Sequence, residues 1–203
     1  MARKTHERME TDEFAERLMS KERREWQDPE QIIKRIGIRR GMVVADLACG
    51  PGFFTIPIAE KVGIEGEVYA VDSDGRMLDH LRANLKKSRV AQRMIKAITA
   101  DVSDTGIPSS SVDVALFANI LHDLDDPAAF LREVKRIGKN GSIMVDIDWQ
   151  KIHTEHGPPF EIRLTKEDSM RILSKNGWRL TRTIDAGPFH YGLICKRSPH
   201  GGR

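Results

Sequence analysis

Residues 43–55 read VVADLACGPGFFT, which predicts a strand, a tight glycine turn and the start of a helix. The first part of this segment is rich in valine and leucine, as expected for a buried parallel strand. Gly50 and Gly52 allow the backbone to turn sharply and to lie close to a ligand. A helix that begins at about Thr55 directs its free backbone N–H groups towards this turn. The segment therefore predicts a binding site for a nucleotide-type ligand.

The glycine turn alone does not identify the ligand, because a dinucleotide-binding fingerprint also begins with Gly-x-Gly. That fingerprint has a third glycine where this chain has Thr55. It also has no need of an acid four residues before the first glycine, where this chain has Asp46. A carboxylate at that position repels a pyrophosphate but can hold a cation. Both departures favour a ligand other than a dinucleotide.

Residues 46–52, DLACGPG, resemble the first motif of the class I S-adenosylmethionine-dependent methyltransferases, whose cofactor carries an amino acid moiety with an ammonium group. The resemblance covers about residues 28–149. In detail, this part of the chain is similar to the ubiquinone/menaquinone-biosynthesis-like (type 11) group. It implies that S-adenosylmethionine is the cofactor. For this motif it implies cofactor contacts from Asp46, Ala48, Gly50, Pro51, Gly52 and Thr55.

The same resemblance implies the fold class, which is α/β. We expect a Rossmann-like, doubly wound sheet of seven mostly parallel strands, in the order 3-2-1-4-5-7-6, with strand 7 antiparallel and helices on both faces. The hydrophobic pattern itself predicts a strand–helix–strand unit with a right-handed crossover. Later strands are predicted at Glu67–Asp72, Arg93–Asp101, Val112–Ala118, Gly141–Trp149, Trp178–Asp185 and Phe189–Lys196. Helices are predicted from Thr11, Asp28, Thr55, Asp74, Asp126 and Thr165.

Size and composition favour a single α/β domain. The chain has 203 residues, and its 33 basic and 30 acidic residues give a net charge of +3 without a concentrated basic block. We therefore expect a small-molecule methyl acceptor and no nucleic-acid partner. Cys49 and Cys195 do not form a disulfide framework, and no apolar run reaches the length of about twenty residues that spans a bilayer. We expect a soluble cytoplasmic protein, monomeric or homodimeric, without membrane association.

The N-terminal segment has two interpretations. Residues 1–27 are densely charged, and they are interpreted either as a solvated arm or as a helical lid over the cofactor with Trp26 as its anchor. Residues 28–197 form the predicted methyltransferase domain. Residues 198–203 are predicted to be a disordered tail.

Carboxylates follow two of the predicted strands at the edge where an open α/β sheet binds its ligands. Asp72 ends the second strand about twenty residues after the turn, where a carboxylate can accept both hydroxyls of a ribose, and Ser73 beside it joins the predicted site. The alternative is that Asp72 and Ser73 cap the next helix. The family resemblance implies that Asp101 meets the adenine amine and that the Val102 N–H meets a ring nitrogen. Met77 is a candidate to pack on the adenine, although a core position is the commoner role.

The end of the fourth strand supplies the candidate catalytic residue. An Asn followed by a Leu-His pair is similar to the type 11 group, in which backbone carbonyls after this strand hold the cofactor ammonium. The resemblance implies this role for Ala118 and Asn119. His122 would then border the methyl group as a general base, since imidazole titrates near neutral pH without a large shift. The alternative is a structural histidine.

Two other groups of residues are candidates for metal or acid–base sites. His153 and His156 have a spacing that can bind a metal, but no Cys pair or HExxH context supports it, and a solvated loop is the stronger interpretation. Asp146 and Asp148 share one face of the fifth strand and are candidates for proton abstraction or cation binding, although salt-bridged acids are commoner there. We predict no metal site.

The predicted function is methyl transfer from S-adenosylmethionine to a small molecule by in-line displacement. A nicotinamide-dependent oxidoreductase on a Rossmann-type sheet is the alternative enzyme class. A non-catalytic cofactor-binding protein is the third hypothesis, because the sequence offers no certain base.

Overall fold

The computed structural model describes residues 11–198, which form one seven-stranded sheet flanked by helices. The strands are β1 (Val43–Leu47), β2 (Glu67–Asp72), β3 (Ile95–Thr99), β4 (Val112–Ala118), β5 (Gly138–Trp149), β6 (Trp178–Asp185) and β7 (His190–Arg197). The helices are α1 (Thr11–Leu18), α2 (Lys21–Trp26), α3 (Pro29–Ile36), α4 (Thr55–Val62), α5 (Gly75–Lys87), α6 (Pro127–Ile137) and α7 (Lys166–Lys175). Strands β2, β4 and β6 and helix α4 have the predicted bounds.

The sheet has the predicted order, β3-β2-β1-β4-β5-β7-β6. Strands β3, β2, β1, β4 and β5 are parallel to their neighbours, whereas β7 is antiparallel to both β5 and β6. The strand order reverses between β1 and β4, so the carboxyl ends of these two strands border the crevice in which open α/β sheets bind ligands. The predicted fold class is confirmed.

Two apolar layers cover the sheet. Helices α3, α4 and α5 pack on one face, and α6 and α7 pack on the other. The buried stripe of α5 includes Leu78, Leu81 and Leu85, and that of α6 includes Phe130 and Val134, as the helical periodicity predicts. Each such side chain stabilises the fold by about 1.5–3 kcal/mol relative to an exposed position.

Helix ends follow local sequence signals. The Asp28 side chain accepts a hydrogen bond from the Gln31 backbone N–H, Pro29 occupies the first turn, and Gly37 ends α3 in the left-handed conformation at φ 91°. The Asp126 side chain caps α6 in the same way. These short-range signals explain why both helices begin where the sequence predicts.

Three strands differ from their predicted bounds, and of these β7 covers His190–Arg197 rather than Phe189–Lys196, a shift of one residue. Strand β3 covers Ile95–Thr99 rather than Arg93–Asp101, because Gln92–Met94 forms a 3-10 turn that precedes it. Strand β5 begins at Gly138 rather than Gly141, since a register shift in its pairing with β4 lets the strand extend to Gly138. Asp101 therefore lies two residues beyond β3 rather than at its end.

The described part of the N-terminal segment contains two helices. Helix α1 covers Thr11–Leu18, within the predicted helical segment, but α2 was not predicted, and Ser20 caps it by accepting a hydrogen bond from the Arg23 N–H. A Cβ at Gly187 would overlap the Trp26 carbonyl, so the end of α2 lies directly against the turn between β6 and β7. The predicted tail lies almost wholly outside the described residues. Within residues 11–198, no helix has both the length and the apolar character needed to cross a bilayer.

Candidate active site

The glycine turn has the strained backbone of a ligand-binding loop. Ala48 adopts a left-handed conformation with φ 57°, and Gly50 and Gly52 follow with φ 55° and 97°. A non-glycine residue in this region costs about 1–3 kcal/mol, and such residues cluster at functional sites. Pro51 and Gly52 are buried between this turn and the start of α4.

Asp46 lies in β1 directly beneath the turn and is 3% exposed. The Thr55 hydroxyl donates a 2.6 Å hydrogen bond to Asp46 Oδ2. Burial raises the pKa of Asp46 to about 7, against the hydrogen bond from Thr55, which favours the charged form. Thr55, which stands where a dinucleotide fingerprint has its third glycine, thus orients this carboxylate.

Asp72 ends β2, and it fastens that strand to the turn. Its Oδ2 accepts a 2.8 Å hydrogen bond from the Gly50 N–H, and its Oδ1 accepts a 3.0 Å hydrogen bond from the Asp74 N–H. The cap of α5 is Asp74, whose side chain accepts from the Arg76 N–H, so the alternative role of Asp72 as the helix cap is wrong. Ser73 is exposed next to Asp72.

The predicted adenine-binding residues occupy three different environments. Asp101 is exposed, and its Oδ1 accepts hydrogen bonds from the Ser103 N–H at 2.8 Å and the Ser103 hydroxyl at 2.7 Å. These bonds lower the pKa of Asp101. Val102 is half-buried, and Met77 is 1% exposed in α5. Their contacts with adenine stay predictions.

The end of β4 repeats the strained geometry of the end of β1. Ala118 is the last residue of the strand, and Asn119 has a left-handed φ of 62°. The Asn119 N–H donates to the Ile147 carbonyl at 2.7 Å, which ties the turn to β5. The buried Asn119 Oδ1 has no hydrogen-bond partner within residues 11–198. Two left-handed, non-glycine residues thus stand on the two sides of the crevice.

His122 follows in a 3-10 turn, Leu121–Asp123, and pairs with a carboxylate of β5. His122 Nδ1 lies 2.7 Å from Asp148 Oδ1, the two side chains are 2% and 1% exposed, and His122 Nε2 lies 3.5 Å from Asp123 Oδ2. Burial alone would lower the pKa of His122, but the hydrogen bond to Asp148 and the charges of Asp148 and Asp123 raise it above its ordinary value. The hydrogen bond to Asp148 fixes the orientation of the His122 ring.

Asp146 lies beside this pair and differs from it. Its side chain is fully buried, and neither carboxylate oxygen has a hydrogen-bond partner within the described chain. Burial and the neighbouring Asp148 raise the pKa of Asp146 well above its ordinary value, because both disfavour the charged form. Of the two acids, only Asp148 fits the expectation of an ion-paired strand end.

An aromatic cluster surrounds Trp149, the last residue of β5. It consists of Trp26, Trp149, His156, Phe189 and His190. Trp26 and His190 stack with ring centroids 5.5 Å apart and planes inclined by 5°. Burial and the nearby arginines lower the pKa of His190 well below its ordinary value, and its ring nitrogens have no hydrogen-bond partner among residues 11–198. Neutral His190 thus contributes a flat, buried ring to this cluster.

The two histidines whose spacing could bind a metal, His153 and His156, have different partners. His153 stacks on Phe160 with centroids 4.2 Å apart, and His156 stacks on Trp26. No group of three or more potential metal ligands occurs within the described part of the chain. The described geometry therefore gives no support to the metal interpretation of this loop.

Sequence reasoning missed Arg23, the buried arginine of α2. Its neighbours in the sequence KERREW are also charged, so no periodic pattern separates the buried residue from the exposed ones. The available signal was Ser20, a helix-cap residue immediately before this short segment, together with Trp26 at its end. Those two residues indicate a helix that is anchored rather than solvated.

Two features define the class of protein. The sheet has the order described above with an antiparallel strand β7, and the glycine turn lies beside the buried carboxylates Asp46 and Asp72. Together they define the class of S-adenosylmethionine-dependent methyltransferases. Residues 45–145 match the methyltransferase domain family of type 11. A putative type 11 methyltransferase of known structure is 30% identical to this chain, and the match covers 96% of that protein. This chain therefore belongs to the type 11 methyltransferase family.

Solved structures and curated sequences agree with this assignment. A S-adenosylmethionine-dependent methyltransferase from Aquifex aeolicus has a TM-score of 0.85 and 28% identity, over 93% of this chain and 98% of that one. A putative type 11 methyltransferase from Sulfolobus solfataricus has a TM-score of 0.71 and 30% identity, over 88% of this chain and 96% of that one. A demethylmenaquinone methyltransferase from Geobacillus sp. is 29% identical over 119 residues, which are 59% of this chain and 50% of the relative. The chain spans about half the length of the curated relatives it matches. The stated resemblance is confirmed.

The residues present fit the cofactor of this family. Asp46 is a buried carboxylate without a cationic partner in ion-pairing distance among the described residues, which suits an ammonium group. Asn119 offers an unpartnered buried carbonyl oxygen on the opposite side of the crevice. Asp72 is held at the strand end where a carboxylate reaches a ribose.

Proposed function

We propose that this protein transfers a methyl group from S-adenosylmethionine to a small-molecule acceptor by in-line displacement, and that S-adenosylhomocysteine is released. The observation that carries the proposal is the pair of buried carboxylates, Asp46 and Asp72, beside the glycine turn. A pyrophosphate would meet repulsion there, whereas an ammonium group and a ribose find acceptors. Asp72 would hold the ribose, Asp46 and the carbonyls of Ala118 and Asn119 the ammonium group, and Asp101 and Val102 the adenine.

The catalytic contribution of the chain is proton removal and alignment. When bound, S-adenosylmethionine supplies a methyl group on a positively charged sulfur, which is a good leaving group. His122 Nε2 is the ring nitrogen that can accept a proton from the acceptor, since Nδ1 is bound to Asp148. Asp148 stabilises the imidazolium that this transfer forms. The pair therefore acts as an oriented general base.

The acceptor that best suits the remaining surface is a planar aromatic molecule with an ionisable hydroxyl group. Trp149, the last residue of β5, follows directly after Asp148, the partner of His122, and the ring centroids of Trp26 and Trp149 lie 5.5 Å apart. Flat side chains of this kind favour aromatic rings by offset or edge contacts. The Geobacillus relative is named for a quinone acceptor, demethylmenaquinone, whose reduced quinol form carries such hydroxyl groups.

Calorimetric titration with S-adenosylmethionine, S-adenosylhomocysteine and NADH tests the cofactor assignment. We expect binding of the first two and none of NADH. Turnover is then measured as S-adenosylhomocysteine formed with a panel of hydroxylated benzene and naphthalene compounds. Binding of NADH alone would support the oxidoreductase alternative. Tight binding of S-adenosylmethionine without turnover on any acceptor would support a non-catalytic binding protein.

The raised pKa of Asp46 predicts a pH dependence of cofactor affinity. Only the ionised carboxylate attracts an ammonium group, and the pKa of about 7 means that protonation begins near neutral pH. We therefore expect the affinity for S-adenosylhomocysteine to fall by roughly tenfold as the pH is lowered from about 8 to about 6. In Asp46→Asn the affinity should be low and independent of pH over this range. Equal wild-type affinity at both pH values would remove the ammonium group from Asp46.

A further inference from the structure

Arg23 is the charged side chain of α2 that the fold buries. It is 8% exposed, whereas the adjacent Arg24 forms a half-exposed ion pair with Glu30 at 2.8 Å. Burying the long, charged side chain of an arginine is costly unless another group neutralises it. The burial of Arg23 therefore requires a group that compensates its charge.

The guanidinium lies directly over the cofactor turn. Its carbon is 3.9 Å from the ring centroid of Phe53, the residue that follows the second glycine of the turn. A Cβ at Gly50 would lie 3.6 Å from Leu18 Cδ1, so the end of α1 also covers the turn. The two arm helices thus place Arg23 above the site in which the cofactor is proposed to bind.

The bonds of Arg23 hold its orientation but do not neutralise its charge. Its Nε donates to Gln27 Oε1 at 2.9 Å, and its Nη1 donates to the Leu18 carbonyl at 3.0 Å. Both acceptors are neutral, and no carboxylate of residues 11–198 lies within 4.0 Å of its nitrogens. Burial lowers the pKa of Arg23 to about 9, which leaves the group protonated at neutral pH. The positive charge is therefore buried without an anion in contact.

Asp46 completes the electrostatic pattern. It is close enough to Arg23 for the two charges to stabilise each other, but it is bound to Thr55 and makes no ion pair with Arg23. A buried cation and a separate buried carboxylate across one crevice match a zwitterion with its ammonium group towards Asp46 and its carboxylate towards Arg23. The amino acid end of the cofactor is such a zwitterion.

We propose that Arg23 binds the carboxylate of the methionine moiety of S-adenosylmethionine and so fixes α2 as a closed cover over the cofactor. This inference rests on the proposed function. It assigns a cofactor-binding role to the N-terminal arm and explains why a fixed, uncompensated arginine lies over Phe53. The planar guanidinium suits bidentate binding of a carboxylate.

Calorimetry with a matched pair of probes tests the proposal. The probes are S-adenosylhomocysteine and its decarboxylated analogue, which keeps the ammonium group and lacks the carboxylate. We expect wild-type protein to bind S-adenosylhomocysteine more tightly by about 10–100-fold, the range for a charge-assisted hydrogen bond. In Arg23→Gln this preference should shrink to within about threefold, because only the carboxylate-bearing probe loses affinity. Arg24→Gln, a change at the next position of the same helix, should keep the wild-type preference.

Each outcome decides between distinct alternatives. If Arg23→Gln weakens both probes equally, Arg23 supports the arm without touching the carboxylate, and the proposal is wrong. If the variant keeps the wild-type preference, another group binds the carboxylate. If wild-type protein binds neither probe, the proposed function itself fails, and this inference fails with it. Arg23→Lys, which keeps the charge but loses the bidentate fork, should retain part of the preference, and it replaces Arg23→Gln if that variant has a lowered unfolding temperature.

Discussion

His122→Ala is expected to lower turnover by roughly a hundredfold or more while leaving the affinity for S-adenosylmethionine within about twofold of wild type. Removing a general base costs about 10²–10⁴-fold in rate. The side chain is bound to Asp148 of β5 rather than to the glycine turn or to Asp72, so its loss leaves the proposed cofactor contacts in place. Turnover is measured as S-adenosylhomocysteine released, and affinity is measured by calorimetry.

The pH profile separates a base from a structural histidine. Asp148 raises the pKa of His122, and only the neutral imidazole accepts a proton, so wild-type activity should fall on the acid side of a pKa above about 6.5. Asp148→Asn removes the negative charge and should move this acid limb to lower pH. His153→Ala, a change in an exposed loop residue that stacks on Phe160, should behave as wild type. Unaltered turnover of His122→Ala across the pH range would mean that transfer proceeds by alignment alone.

The parts of the fold that were predicted from sequence are those with strong local signals. The β1 strand and its glycine turn, the cap at Asp28 and the apolar stripe of α6 each combine a pattern with a chemically distinctive residue. The errors have tertiary causes. Strand β5 extends back to Gly138 through a register shift with β4, and the glycine-containing polar segment 138–142, GKNGS, has no apolar alternation that predicts a strand.

The candidate site also combines residues that the sequence predicts with residues that only the tertiary packing brings together. Asp46, Asp72 and the end of β4 could be placed because each lies at a fixed distance from the glycine turn in a repeating strand–helix unit. The partnership of His122 with Asp148 could not, since it joins the 3-10 turn after β4 to a residue of β5 that lies 26 positions later in the chain. The burial of Arg23 depends on how α2 packs over Phe53. The charged sequence of α2, KERREW, does not predict that packing.

Asp72→Ala is expected to weaken S-adenosylhomocysteine binding by at least about tenfold. A carboxylate that accepts two ribose hydroxyls makes charge-assisted bonds worth about 1.5–3 kcal/mol each, and the loss of either accounts for that change. The Asp72 carboxylate also accepts hydrogen bonds from the backbone N–H groups of Gly50 and Asp74, so its removal loosens the turn as well. Glu155→Ala, in the exposed loop after β5, is the matched loss of a carboxylate and should leave affinity unchanged.

A second probe distinguishes direct ribose binding by Asp72 from support of the glycine turn. The analogue of S-adenosylhomocysteine that lacks both ribose hydroxyls should bind wild-type protein at least about tenfold more weakly than the parent compound, because the buried carboxylate then keeps unpaired acceptors. In Asp72→Ala the two compounds should bind alike, since the acceptor that discriminates between them is gone. If the variant still prefers the parent compound by the wild-type ratio, the hydroxyls are bound elsewhere and Asp72 acts only through its hydrogen bond to Gly50. Affinity of Asp72→Ala within about twofold of wild type would remove this residue from the cofactor site altogether, and with it half of the carboxylate pair on which the proposed function depends.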